Sequence, residues 1–252
     1  MTLPIGVQMH TLRAELAGDF HGTIARVAEI GYDSVEIGRS STYSPDEITR
    51  TIKTNGLACH SSLVPLPFGK AKPEVLEFAA TVGAEYIGLS YIKSELYDSK
   101  TGVKLVAQIV NEAKDIAKAA GLRYTYHNHH FEFASRIDGR PAYDLLLEEL
   151  DDDVYFTFDT YWAQVGGVDP VEYVKRLGDR AAVLHLKDGP ADSVEADMTA
   201  LGDGNVDLMG CIAAGEGHTQ LLMFEMDRCA TDTWEAVAKS FAYLQEKGIA
   251  NG

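Results

Sequence analysis

Glycine closes one helical stretch after another along this chain of 252 residues, and a short run rich in Val, Ile, Phe and Tyr follows most closures. Gly31, Gly56, Gly83, Gly121, Gly178 and Gly248 stand where a left-handed residue ends a helix, a conformation glycine adopts without a Cβ penalty. Strands are expected to begin near Ile5, Ser34, Leu57, Tyr86, Arg123, Val154, Ala182 and Leu221, eight in all. The intervening helices carry their own start signals. Ser44-Pro45-Asp46-Glu47 combines an N-cap serine, a proline at the first helical position and a capping-box glutamate, and Asp169-Pro170 repeats the cap-plus-proline pair. Apolar residues recurring three and four apart predict the longest helices over Thr101 to Ala120 and Thr231 to Lys247.

Eight strand-helix units in this length match the size of a (β/α)8 barrel, and the near-continuous apolar strands suit a parallel sheet covered by helices. The expected architecture is one α/β domain, a TIM barrel over residues 1–252. An open doubly wound sheet is the other arrangement of such units, but no glycine-rich nucleotide loop follows the first strand. The longer connections, Leu63 to Lys72, Tyr91 to Lys100 and Asp188 to Asn205, all follow strands, where a barrel carries its active-site loops.

Composition excludes several function classes. Cys59, Cys211 and Cys229 show no paired spacing, so neither a disulfide framework nor a zinc ribbon is expected. No run is long and apolar enough to span a bilayer, no signal-like segment opens the chain, and a cytoplasmic setting is the expectation. A net charge of −16 argues against a phosphate-backbone partner. Asp151-Asp152-Asp153 reads as a solvated turn.

The strand ends are polar where the strands themselves are not. Gln8 and His10 follow the first strand, Glu36 ends the second, and His60 is expected at the end of the third. The fifth offers His127, Asn128, His129 and Glu132, the sixth Asp159, the seventh His185 and Lys187, the eighth Glu225 and Asp227. Asp159, His185 and Glu225 each terminate a strongly apolar strand, where a charged group costs several kcal/mol unless it is paired or binds metal. A metal site in a barrel mouth is the simplest common reason for all three.

At these residues the chain resembles the xylose-isomerase-like TIM barrels, a superfamily of sugar isomerases, epimerases and inosose dehydratases. The resemblance spans the chain and rests on Tyr126-His127-Asn128-His129-His130-Phe131-Glu132-Phe133, His185-Leu186-Lys187-Asp188 and Leu201-Gly202-Asp203-Gly204-Asn205-Val206-Asp207. It implies that Asp159, His185 and Glu225 hold one divalent ion, with Glu132 or, failing that, His127 as fourth ligand. Such a donor set suits Mn²⁺ first, with Mg²⁺, Co²⁺ or Zn²⁺ as alternatives. The implied chemistry is proton transfer next to a sugar carbonyl through a metal-stabilised enediolate. Glu132 or His127 on one face and Glu225 on the other would move the proton, and Lys187, partnered by Asp188, would hold an oxyanion or act as an acid. Gln8, His10, Glu36, His60, His129 and Trp162 are the expected substrate contacts.

The expected activity is a metal-dependent sugar isomerase or epimerase. The same enediolate can instead expel a β-leaving group, giving a lyase or dehydratase on a keto-sugar, keto-glycoside or keto-inositol, and a non-catalytic sugar-binding or accessory subunit is the third reading. Apurinic endonucleases share the superfamily, and His10 and His60 stand in suggestive places, but the negative charge speaks against DNA. The expected partner is a small sugar, with neither nucleic acid nor membrane; dimers and tetramers are common in the resembling group.

Overall fold

A computed structural model describes residues 3–250. Eight parallel strands, β1 (Ile5–Gln8), β2 (Ser34–Glu36), β3 (Ser61–Leu63), β4 (Tyr86–Leu89), β5 (Arg123–His127), β6 (Tyr155–Asp159), β7 (Val183–Leu186) and β8 (Leu221–Phe224), form one sheet. Sequential strands are neighbours, β8 pairs with β1, and a single parallel bridge between Ser34 and Ala58 links β2 to the segment before β3. This is a nearly closed (β/α)8 barrel in a single-domain α/β fold. No helix among the described residues is long and apolar enough to cross a membrane.

The helices form where their signals stand. Ser44 accepts the Glu47 N–H and Asp169 the Val171 N–H, each capping a helix that opens with proline. Helix Lys100–Ala119 buries Val103, Val106, Ala107, Val110, Ala113 and Ala117 along one stripe, and each valine contributes about 1.5–3 kcal/mol through burial. All six helix-ending glycines have positive φ. At the base of the barrel the acidic turn is more than solvated: the buried Lys114 ammonium lies 2.9 Å from Asp151 and 3.0 Å from Asp153.

Alternation along the strands sorts the barrel interior from its wall. Tyr86, Val183, Leu221 and Met223 pack together as a small core separate from the main one, which holds Leu184, Leu222, Phe224, Phe156 and Phe158. One face of β7 therefore reads Val183 then His185, and one face of β8 reads Leu221, Met223, then Glu225. The same period places Thr125 with His127 and Thr157 with Asp159, and the Thr157 hydroxyl donates to Thr125 at 2.9 Å. The interior is apolar at one end and ionisable at the C-terminal end of the strands, where a barrel holds its site.

The third strand departs from the sequence expectation. It begins at Ser61, not near Leu57, because Ala58 makes only an isolated bridge. His60 therefore precedes its strand, at the end of the barrel opposite the ionisable layer, and its ring faces Glu85 at 3.3 Å.

Candidate metal centre and active site

His127, Asp159, His185 and Glu225 converge at the C-terminal ends of β5, β6, β7 and β8, each offering one ligand atom, all within 4.8 Å of one another. Opposed donors around an ion with bonds of about 2.1 Å stand roughly 4.2 Å apart, so shifts of about half an ångström would let the group close on one divalent ion. All four side chains are buried.

Backbone geometry fixes each donor. Asn128 accepts the Asp159 N–H at 2.9 Å and donates to the Asp159 carbonyl at 3.1 Å, locking β5 to β6. Asp159 Oδ1 caps helix Thr160–Val165 by accepting the Trp162 N–H at 2.8 Å. Its Oδ2 is buried without a hydrogen bond, although Lys187 Nζ lies 3.0 Å away as an ion pair. A buried carboxylate oxygen left in this state is what a cation would satisfy. His127 Nδ1 lies 3.3 Å from the Thr157 carbonyl, which can only accept; the proton belongs on Nδ1 and Nε2 keeps its lone pair.

Charge at the centre is tightly arranged. His185 is held by Glu225 at Nδ1 (2.7 Å) and by Glu36 at Nε2 (2.9 Å), while Glu36 accepts the Ser61 hydroxyl at 2.5 Å. Lys187 Nζ touches Asp159, Glu225 and Asp227 at 3.0, 3.0 and 2.7 Å. Burial pulls the His185 pKa down, but the charges of Glu36 and Glu225 outweigh it and carry it up to about 10. Burial likewise opposes ionisation of Glu225, yet Lys187 and His185 hold it well below the usual carboxylate range. Burial raises Asp159 to about 6 despite Lys187. His127 is pushed well below an ordinary imidazole by burial and the neighbouring His185. Four carboxylates, Glu36, Asp159, Glu225 and Asp227, face two cations, His185 and Lys187, a surplus of negative charge that a divalent ion would offset.

The remaining expected residues divide. Gln8, His10, Glu36 and His129 line the same cavity of about 660 Å³ as His127 and Glu225. His60 lies at the opposite end of the barrel. Trp162 is buried beneath the Lys187 ammonium, 5.6 Å from its ring centre, and does not line the cavity. Glu132, expected as a ligand, stands apart from the four gathered donors: it sits in the short helix Phe131–Ala134, accepting the Tyr126 hydroxyl and the His129 N–H, both at 2.9 Å. The helical turn after His130 carries its side chain back against β5, and burial lifts its pKa to about 8. Asp188 is not the partner of Lys187; its carboxylate accepts the N–H groups of Gly189, Gly202, Gly204 and Val206, tying the glycine loop to the end of β7. Ser61, the support of Glu36, is absent from the sequence expectation, which starts the third strand near Leu57 and ends it on His60.

Comparison with known proteins agrees with this geometry. A family model described as xylose isomerase-like TIM barrel matches residues 24–214. An inosose dehydratase of Geobacillus kaustophilus is 24% identical over 196 residues, covering 68% of this chain and 63% of that protein. Another, from Clostridium beijerinckii, is 22% identical over 269 residues, covering 90% of this chain and 89% of that protein. The crystal structure of a sugar phosphate isomerase/epimerase from Parabacteroides distasonis superposes with a TM-score of 0.81 at 26% identity, covering 100% of this chain and 96% of that one. A catalytic barrel with a buried four-residue metal-binding cluster marks this chain as a metal-dependent enzyme.

Proposed function

Because the chain belongs to the xylose isomerase-like TIM barrel family, we propose that it is a lyase that removes water from a keto-sugar or keto-cyclitol by β-elimination, with a divalent ion, Mn²⁺ first among candidates, held by His127, Asp159, His185 and Glu225. When bound, the ion supplies Lewis-acid stabilisation of charge on the substrate carbonyl, worth several kcal/mol. The protein supplies the proton chemistry. Both contacts of Glu225 to His185 and Lys187 fall on Oε2, leaving Oε1 for the cavity and for the proton beside the carbonyl. Lys187 keeps that carboxylate ionised.

The observation that carries the reading is the absence of Glu132 from the cavity lining. Epimerisation needs a proton donor on the face opposite the base. Elimination does not, because a carboxylate that takes the proton from carbon can hand it to an oxygen departing on the same face. The dehydratase relatives, two of them aligned above, support the same choice. Epimerisation is the second reading, favoured by the isomerase/epimerase structure that superposes along the whole chain and by the imidazole of His129 in the cavity.

Incubation with keto-inositol and with ketoses in D₂O, with Mn²⁺ and NMR detection, separates the two. Loss of water from a keto substrate is expected. Deuterium entering a ketose at carbon, with inversion and no loss of water, would replace the lyase by the epimerase.

A further inference from the structure

The chain that leaves β8 is soon beyond the reach of the sheet. The Glu225 N–H still donates to the Leu186 carbonyl at 3.1 Å, but Met226 and Asp227 lie past the end of the strand. The turn and helix after β1 hold them instead: the Thr11 hydroxyl accepts the Met226 N–H at 3.0 Å, and the Arg13 guanidinium donates to the Asp227 carbonyl at 2.8 Å and to the His10 carbonyl at 2.9 Å. We propose that Arg13 is a positioning residue for Lys187: by pinning the Asp227 peptide it keeps one carboxylate in place for the lysine ammonium when a divalent ion is held by the other two. The proposal concerns the metal centre, and it rests on the elimination reading only for the use to which Lys187 is put.

Lys187 Nζ has three carboxylate partners, and they are not equivalent. Asp159 and Glu225, each 3.0 Å away, belong to the four gathered donors, whereas Asp227, at 2.7 Å, does not. Charge that Asp159 and Glu225 now offer the ammonium is shared once they hold an ion, and a buried ammonium short of counter-charge is strongly disfavoured. The lysine side chain is buried, with the Trp162 ring centre 5.6 Å from its Nζ, so water does not replace the lost charge. Asp227 is the anchor that metal binding leaves to it.

Asp227 in turn needs holding. Its side chain is 32% exposed, and its N–H faces the Met198 sulfur at 3.3 Å, a weak acceptor. Farther along, the Arg228 carbonyl and the Ala230 N–H bond to the Met198 peptide at 3.2 and 2.9 Å, which fixes that stretch from the loop after β7. Beside the Asp227 peptide lies a small cavity of about 110 Å³, lined in part by Thr11, Arg13, Met226 and Arg228, which gives the peptide room to shift once the guanidinium is gone.

The bridge calls for an arginine. Two carbonyls far apart in the chain are joined by the two amino groups of one planar fork, whereas a lysine ammonium keeps the charge but is a point donor on a flexible stem. Both of these partners are neutral backbone groups, so Arg13 keeps its charge and acts on Lys187 through the Asp227 peptide.

Calorimetric Mn²⁺ binding at pH 8 tests the link through a cycle of four chains: the parent, Arg13→Lys, Lys187→Met and the double variant. With its anchor loosened, Lys187 leans harder on Asp159 and Glu225 and competes with the ion. Arg13→Lys is therefore expected to bind Mn²⁺ about fivefold more weakly than the parent, a coupling of the size found within one charge network, and to change nothing where Lys187 is already Met. Asp227→Asn supplies a second cycle that leaves Lys187 in place, and there too Arg13→Lys should add nothing. Unchanged or tighter binding by Arg13→Lys, or the same loss in every background, would overturn the proposal and leave Arg13 a structural tether. The readout needs no substrate. Absent coupling in a protein that still removes water from a keto substrate sinks the proposal alone; intact coupling with no elimination sinks the elimination reading alone.

Discussion

Glu36 and His185 meet 2.9 Å apart, carboxylate oxygen to imidazole Nε2, although 149 residues separate them in the chain. The contact leaves Nδ1 as the nitrogen facing Glu225, so the ring enters the donor cluster already oriented. A carboxylate behind a metal-binding imidazole raises its basicity and fixes its tautomer. Glu36→Gln keeps the shape and removes the charge. Affinity for Mn²⁺ or Zn²⁺ at pH 8 is expected to fall about 10- to 100-fold, the cost usual for such supporting partners. Calorimetric titration checks this, and unchanged affinity would sever Glu36 from the metal site.

Ion binding should release protons. Metal-free His185, raised to about 10, carries its proton at neutral pH, and that proton must leave before the ring can coordinate. Affinity therefore climbs with pH, by up to tenfold per unit between about 6 and 8, and more steeply below about 6, where Asp159 also takes up a proton. Titrations in buffers of different ionisation enthalpy at pH 7 should report close to one proton released per ion.

Much of the fold is legible in the chain, and the residues show why. Gly31 and Gly83 end helices with φ of +118° and +84°, and caps such as Ser44 are local chemistry that a reader of sequence can apply directly. Asp159, His185 and Glu225 stood out because a charge at the end of an apolar strand has few cheap explanations. The failures are shifts of a few residues with large spatial effects. Starting the third strand at Leu57 instead of Ser61 put His60 at the wrong end of the barrel and hid Ser61 behind Glu36. The resemblance likewise puts Glu132 at the metal; one helical turn at Phe131–Ala134 takes it to Tyr126 instead.

Glu132→Gln tests that placement. Glu132 has its pKa raised by burial from 4.5 to about 8, so its folded-state contribution is most favourable below about 4.5 and is lost as pH rises through about 8. The amide oxygen keeps an acceptor for the His129 N–H, its NH2 can donate to the Tyr126 hydroxyl in place of the bond it loses, and it cannot ionise. The variant is expected to match or exceed the parent in melting temperature at pH 9, with a flatter profile from pH 5 to 9, and to bind Mn²⁺ with unchanged affinity. A large loss of metal affinity would return Glu132 to the ligand set.

Lys187→Met exposes the balance of charge at the centre most directly. The lysine side chain is 1% exposed, and its ammonium offsets Asp159, Glu225 and Asp227. Removing it leaves buried carboxylates uncompensated, which costs about 3–5 kcal/mol when one partner of a buried pair is lost. Acid should then help where it normally harms, since protonating those carboxylates relieves the repulsion, so the metal-free variant gains stability as pH falls from 8 toward 5. A divalent ion held by the same carboxylates should help more. Saturation at about 1,000 times Kd adds about 4 kcal/mol to any protein that binds only when folded, and the variant should bind more tightly than the parent because a competing cation is gone. Calorimetric melting with chelator and with Mn²⁺ compares the two chains. A larger metal-induced rise in Tm for the variant is the expected result; an equal or smaller rise would mean that the ion and the lysine do not share those oxygens.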